Sequence, residues 1–165
     1  MRIDHRTYAV IPSFIEPYRS EIITEKGRFF SEKLPLQLME AKCLETFSTV
    51  EGRRRAVQHH LSFEKKTPIL LEPCTIGAFP THSIEHPECM YIFQHPLQIE
   101  EKSSMNRLHF PNGDVLDVSV SMYILQSQYA RLHMMLSYCQ QFYKKPYTPT
   151  QTFTILPRKN CQKNK

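Results

Sequence analysis

An α+β fold, with a short-stranded and mostly antiparallel sheet, a short basic helix and one long C-terminal amphipathic helix, follows from three observations. Twelve prolines against four glycines, with no tryptophan in 165 residues, divide the chain into many short elements and speak against a long helical bundle. Residues 106–120 alternate around an Asn-Gly turn with the period of a hairpin. From Ser121 the apolar spacing changes to steps of three and four and holds to Tyr143. At 41% apolar and 22% charged residues the composition excludes wholesale disorder. The length suits one core. A single domain over 1–146 and a basic, flexible tail over 147–165 are expected.

The elements follow in order. Thr7–Ile11, Glu21–Thr24 and Arg28–Phe30 are β-like, the last two joined by a turn at Lys26-Gly27. Leu34–Phe47 is readable as helix or strand. Ser48 stands three residues before Glu51, the spacing of a capping box, which predicts a helix over about Thr49–Leu61 burying Val50, Val57 and Leu61. The Ile69–Leu71 run between Pro68 and Pro73 reads as a buried strand, and Ile76–Phe79 and Met90–Phe93 as two more. In the hairpin, a Pro111-Asn112-Gly113 loop puts glycine at the bulge position that requires positive φ and sets Leu108 opposite Leu116. A two-residue loop would oppose Leu108 to Asp117. Last, Met122, Leu125, Tyr129, Leu132, Leu136, Cys139 and Tyr143 form one helical stripe, with Ser121 as N-cap, Lys144 and Lys145 at the negative end and Pro146 as terminator. Met135, Tyr138 and Phe142 widen the apolar face and leave room for a dimer contact.

Charge is unevenly placed. Residues 1–100 carry a net −1 and residues 101–165 a net +6, with no acidic residue after Asp117. Such a basic half suits nucleic acid or another anionic partner. The densest run, however, is Arg53-Arg54-Arg55, followed by His59-His60 and Lys65-Lys66. On a helix Arg53 and His60 share one face, and Arg55 and His59 lie one turn apart. Arginine matches phosphate geometry and is drawn into narrow A·T-rich minor grooves; a solvated face paired with Glu51 and Glu64 is the competing reading.

Other chemistry finds little support. Cys74, His82, His86 and Cys89 have donors that suit zinc, but Pro80 and Pro87 crowd the segment and neither cysteine has a nearby cysteine partner. No metal or other cofactor is expected. Phosphate loops, dinucleotide fingerprints and catalytic signatures are lacking, so an enzyme is not expected. The charged, proline-broken N-terminus is unlike a secretory signal, and no apolar run has the ~18–20 residues a membrane helix needs; a cytoplasmic setting with five reduced cysteines is expected.

Ordered landmarks along the chain resemble the competence transcription factor (ComK) family of Gram-positive bacteria. They are Pro35-Leu36-Gln37, Cys43, Gly52-Arg53-Arg54, Pro68–Pro73, Phe79-Pro80-Thr81, Cys89, Asn112-Gly113, Ser121, and Gln128 with Arg131. The resemblance covers about residues 7 to 143. It implies a sequence-selective transcriptional activator of DNA-uptake and transformation genes, which binds paired A/T-rich boxes through the minor groove as a dimer or dimer pair and assists RNA polymerase. It also implies regulation by an adaptor that delivers the protein to a Clp protease. Phe153, Ile155, Leu156, Pro157, Arg158 and Lys159 resemble the adaptor-recognised segment. From charge, Arg53, Arg54, Arg55, His59, Lys65, Lys66, Lys144 and Lys145 are the expected DNA contacts. The chain ends six residues after Lys159, where family members continue with an amphipathic stretch. A second expectation is therefore a non-activating paralogue acting by protein–protein contact, as a decoy for the adaptor or as a heterodimer partner.

Overall fold

The computed structural model describes residues 2–143. Its elements run β1 (Thr7–Pro12), β2 (Ser20–Thr24), β3 (Gly27–Ser31), α1 (Pro35–Glu45), α2 (Val50–Leu61), β4 (Ile69–Glu72), β5 (Ile76–Pro80), β6 (Tyr91–Phe93), β7 (Gln98–Glu101), β8 (Asn106–His109), β9 (Val115–Val118) and α3 (Met122–Phe142). One sheet has the order β3-β2-β1-β6-β5-β4 and a second the order β7-β8-β9, with every pairing antiparallel. The α+β class read from the sequence is the class observed.

The continuous apolar runs make sense once both faces of the larger sheet are seen to be covered. Successive strand residues point to opposite faces, so a strand buried on both sides loses its polar alternation. Val10, Ile22, Ile69, Leu71, Tyr91 and Phe93 pack with Leu38, Met39 and Cys43 of α1. Ile11, Ile23, Leu70, Phe79 and Ile92 pack with Leu108, Leu116 and Val118 of the small sheet and Leu125, Leu132 and Leu136 of α3. Helix α2 lies against β4, the edge strand, and contributes Val50 to the first core and Val57 to the second. Gly77 lets α3 come close: a Cβ there would lie 2.9 Å from Leu132 Cδ1 and from Met135 Cε.

Several local expectations hold and several shift. The segment left open between helix and strand is α1. Pro35 opens it, the Leu34 N–H donates to Gln37 Oε1 at 2.9 Å, and Leu38, Met39 and Cys43 recur at helical spacing on the buried side. At α2 the capping box is not formed. Thr49 is the N-cap instead of Ser48, its Oγ1 accepting the Gly52 N–H at 3.0 Å. The Val50 N–H goes to Glu40 Oε2 of α1 at 2.8 Å, and Glu51 turns to Arg54 at 3.3 Å. Leu61 is only half-buried.

The β8–β9 hairpin has the longer loop. Leu108 pairs with Leu116, the Phe110 N–H donates to the Asp114 carbonyl at 2.9 Å, and Gly113 has φ +86°. Its tip is moored to the larger sheet by Arg28, whose Nε and Nη2 grip the Asp114 carboxylate while Nη1 reaches Glu21 Oε1 at 2.8 Å. In α3 the Ser121 cap is formed and Leu125, Leu132, Leu136 and Cys139 are buried as the stripe predicts. Tyr143 is exposed, whereas Gln128 and Met135 join the buried side. The sequence reading missed β7 altogether.

Candidate nucleic-acid interface

Three consecutive arginines on a helix point roughly 100° apart, so they cannot share a role. Arg53 turns back to α1. Its Nη2 donates to the Thr46 carbonyl at 2.9 Å and to Thr46 Oγ1 at 3.0 Å. That carbonyl lies at the α1 C-terminus, the negative end of the helix dipole, where a guanidinium is favourably placed. The single Thr46 hydroxyl proton has two carbonyl acceptors at 3.0 Å, those of Cys43 and of Leu71 in β4. The same guanidinium opposes, without cancelling, the effect of burial, which pushes the Cys43 thiol up to about 11. Arg54 pairs with Glu51 and is half-buried, with a side chain 24% exposed. Arg55 is exposed.

Farther along α2 the same divergence continues. His59, one turn after Arg55, is exposed with it. His60 is on the Arg53 side, its ring 5.6 Å from that of Tyr138 and 5.4 Å from that of Phe142 on α3. Arg53, Val57, His60, Met135, Cys139 and Phe142 are among the residues lining a groove of about 220 Å³ between the two helices. Both face assignments made from helical spacing therefore stand: Arg53 with His60, Arg55 with His59.

After α2 the chain reverses through Ser62, which has φ +56° and returns its N–H to the Gln58 carbonyl at 2.9 Å. Lys65 is exposed just beyond. Its carbonyl accepts a hydrogen bond from Arg131 Nη1 of α3 at 3.1 Å, and the Arg131 guanidinium sits 5.2 Å from the centre of the Phe63 ring. Arg131 is thereby brought beside Lys65, in the loop that follows α2. Charge clustering in the sequence could not find it, because it lies 66 residues away from Lys65. Lys66 is half-buried and close to His82. Burial first, then His86, then Lys66 hold the His82 imidazole below its ordinary pKa.

The remaining candidates separate. Cys74 is on the α3 side of the larger sheet and Cys89 on the α1 side. His82 and His86 stack at 4.6 Å, and the Cys89 thiol faces the His82 carbonyl. Among the described residues no group of three or more histidine, cysteine or carboxylate side chains is placed to hold a metal ion. Among them, too, no helix is long and apolar enough to cross a membrane. Lys144, Lys145 and the adaptor-like segment Phe153–Lys159 lie outside the described residues.

The sequence model of one family, described as ComK protein, matches residues 1–143 of this chain. The chain belongs to the ComK family. It is also 25% identical over 166 residues to the competence transcription factor of Bacillus subtilis (strain 168), the match covering 98% of this chain and 86% of that protein. No solved structure matches. ComK membership places the chain among transcription factors of competence, which are not an enzyme class.

Proposed function

We propose that this ComK-family chain is a DNA-binding transcriptional activator of competence genes that recognises paired A/T-rich boxes as a dimer or dimer pair and uses α2 as its DNA-facing helix. The observation that carries the proposal is the division of labour along Arg53-Arg54-Arg55: Arg53 is spent on the fold, while Arg55 and His59 stand exposed on one side of the anchored helix. Lys65 and Arg131 add positive charge beside it. An α-helix is too wide for the minor groove of B-DNA, so α2 would lie along the phosphate walls with Arg55 reaching inward. A narrow A·T-rich groove has the enhanced negative potential that favours such an insertion. Residues 1–146 would act as one domain in the cytoplasm, with Lys144 and Lys145 adding nonspecific attraction. The segment containing Phe153, Ile155, Leu156, Pro157, Arg158 and Lys159 would present the chain to a Clp-protease adaptor, and promoter-bound protein would assist RNA polymerase.

Hydroxyl-radical footprinting of the purified protein on a duplex with two A/T boxes tests this function. Protection in the minor groove of both boxes is the expected result. Absence of a footprint, together with capture of the adaptor, would replace DNA binding with action through protein–protein contact.

A further inference from the structure

Cysteines far apart in the chain meet where the β4–β5 turn touches the last turns of α3. Cys74 is in that turn with φ +65°, a conformation rare outside glycine, and the Thr75 N–H closes the turn onto the Glu72 carbonyl at 3.2 Å. The turn is docked on α3 by Gln140, whose Nε2 donates to the Cys74 carbonyl at 3.3 Å. Beside this contact the Sγ atoms of Cys74 and Cys139 are 3.7 Å apart. Cys139 is buried and lines the α2–α3 groove, while Cys74 is half-buried and reachable from solvent. Cys43 and Cys89 are buried in the core on the α1 side of the sheet and cannot compete for either sulfur without unfolding.

We infer that Cys74 and Cys139 are an oxidisable dithiol, a modification site for two-electron thiol oxidants that closes to a disulfide between the β4–β5 turn and α3. A disulfide needs its sulfurs ~2.05 Å apart, so from the present contact of 3.7 Å the two must approach by a further ~1.7 Å. Two S–H bonds break and one S–S bond forms, releasing two protons and two electrons. Hydrogen peroxide accepts them to give two water molecules; a low-molecular-weight disulfide accepts them to give two thiols. The Gln140 hydrogen bond already holds the β4–β5 turn against α3 beside the two sulfurs. Burial, and after it the neighbouring Cys139 thiol, pushes the Cys74 thiol above its ordinary pKa. Little thiolate is then present at neutral pH, which slows the attack on an oxidant. In the oxidised state the last turns of α3, with Tyr138 and Phe142 against His60 of α2, are fixed to the sheet edge by a covalent bond.

The test treats the full chain, under native conditions, with hydrogen peroxide or glutathione disulfide, then alkylates free thiols and maps peptides without reduction. A peptide joining Cys74 to Cys139, an intact mass lower by two hydrogens and reversal by dithiothreitol are expected. The oxidised protein should melt at a higher temperature than the reduced one, a gain on oxidation that is lost in Cys74→Ser and Cys139→Ser when each variant is compared with its own reduced form. The inference is overturned if neither oxidant yields the linked peptide, if Cys74 pairs instead with Cys161 or another cysteine, or if the sulfurs proceed to sulfinic acid unlinked.

Discussion

Over its length α3 buries Leu125, Gln128, Leu132, Met135, Leu136 and Cys139 in one stripe, whereas α2 buries only Val50 and Val57. The two helices are therefore held by different forces. Helix α3 is positioned by area removed from water, about 1.5–3 kcal/mol for each large apolar side chain. Helix α2 has two apolar anchors and supplements them with polar ties to α1: the Val50 N–H to Glu40, and Arg53 to Thr46. Ties of that kind use few side chains. A helix anchored in this way keeps a whole side free, and on α2 that side carries Arg55 and His59.

Cutting the α3 anchor should have the largest effect. Leu132 is fully buried, and Leu132→Ala should cost about 2–5 kcal/mol of unfolding free energy, read from denaturant titration. Duplex affinity per folded molecule should not change. Cutting the α2 tie comes next. Arg53→Ala removes both hydrogen bonds to Thr46 and should cost about 1–3 kcal/mol, with affinity falling only as far as the fold does. If Arg53→Ala leaves the melt untouched yet abolishes binding, Arg53 belongs to the DNA-facing side and the contrast between the helices fails.

A smaller effect should come from the tie between the sheets. Arg28 beside Asp114 holds that carboxyl below its ordinary value. Its folded pKa is depressed, so its stabilising contribution is present above the unfolded carboxylate pKa and is lost as pH falls through the folded one. Because the pair is partly in water, the loss should be ~1 kcal/mol or less. Asp114→Asn should flatten that part of the acid-unfolding curve relative to wild type. The smallest effect on stability is expected at Arg55, where alanine should stay within about 0.5 kcal/mol of wild type in the melt.

Local chemistry explains what the sequence revealed. The β8–β9 hairpin was legible because Pro111-Asn112-Gly113 specifies its own turn, and α3 because its stripe is long. Strand β7 was not, since Gln98-Ile99-Glu100-Glu101 has one apolar residue and lies at a sheet edge. At α2, helical spacing separated the Arg53–His60 side from the Arg55–His59 side, but both are polar, His60 is exposed like His59, and only the Thr46 contact shows that Arg53 is held. The same limit hid Arg131 beside Lys65 and Cys74 beside Cys139: sequence patterns report neighbours along an element, and these pairs meet through the tertiary fold.

The most direct test of the central claim, that α2 presents Arg55 to DNA while Arg53 serves the fold, is the salt dependence of binding to an A/T-box duplex for wild type, Arg53→Ala and Arg55→Ala. Each phosphate contact releases condensed counterions, so the logarithm of affinity falls linearly with the logarithm of salt concentration. Arg55→Ala should weaken binding by about 1–3 kcal/mol and shorten the slope by about one counterion, while Arg53→Ala keeps the wild-type slope. An unchanged slope for Arg55→Ala, or a shortened one for Arg53→Ala, would contradict it.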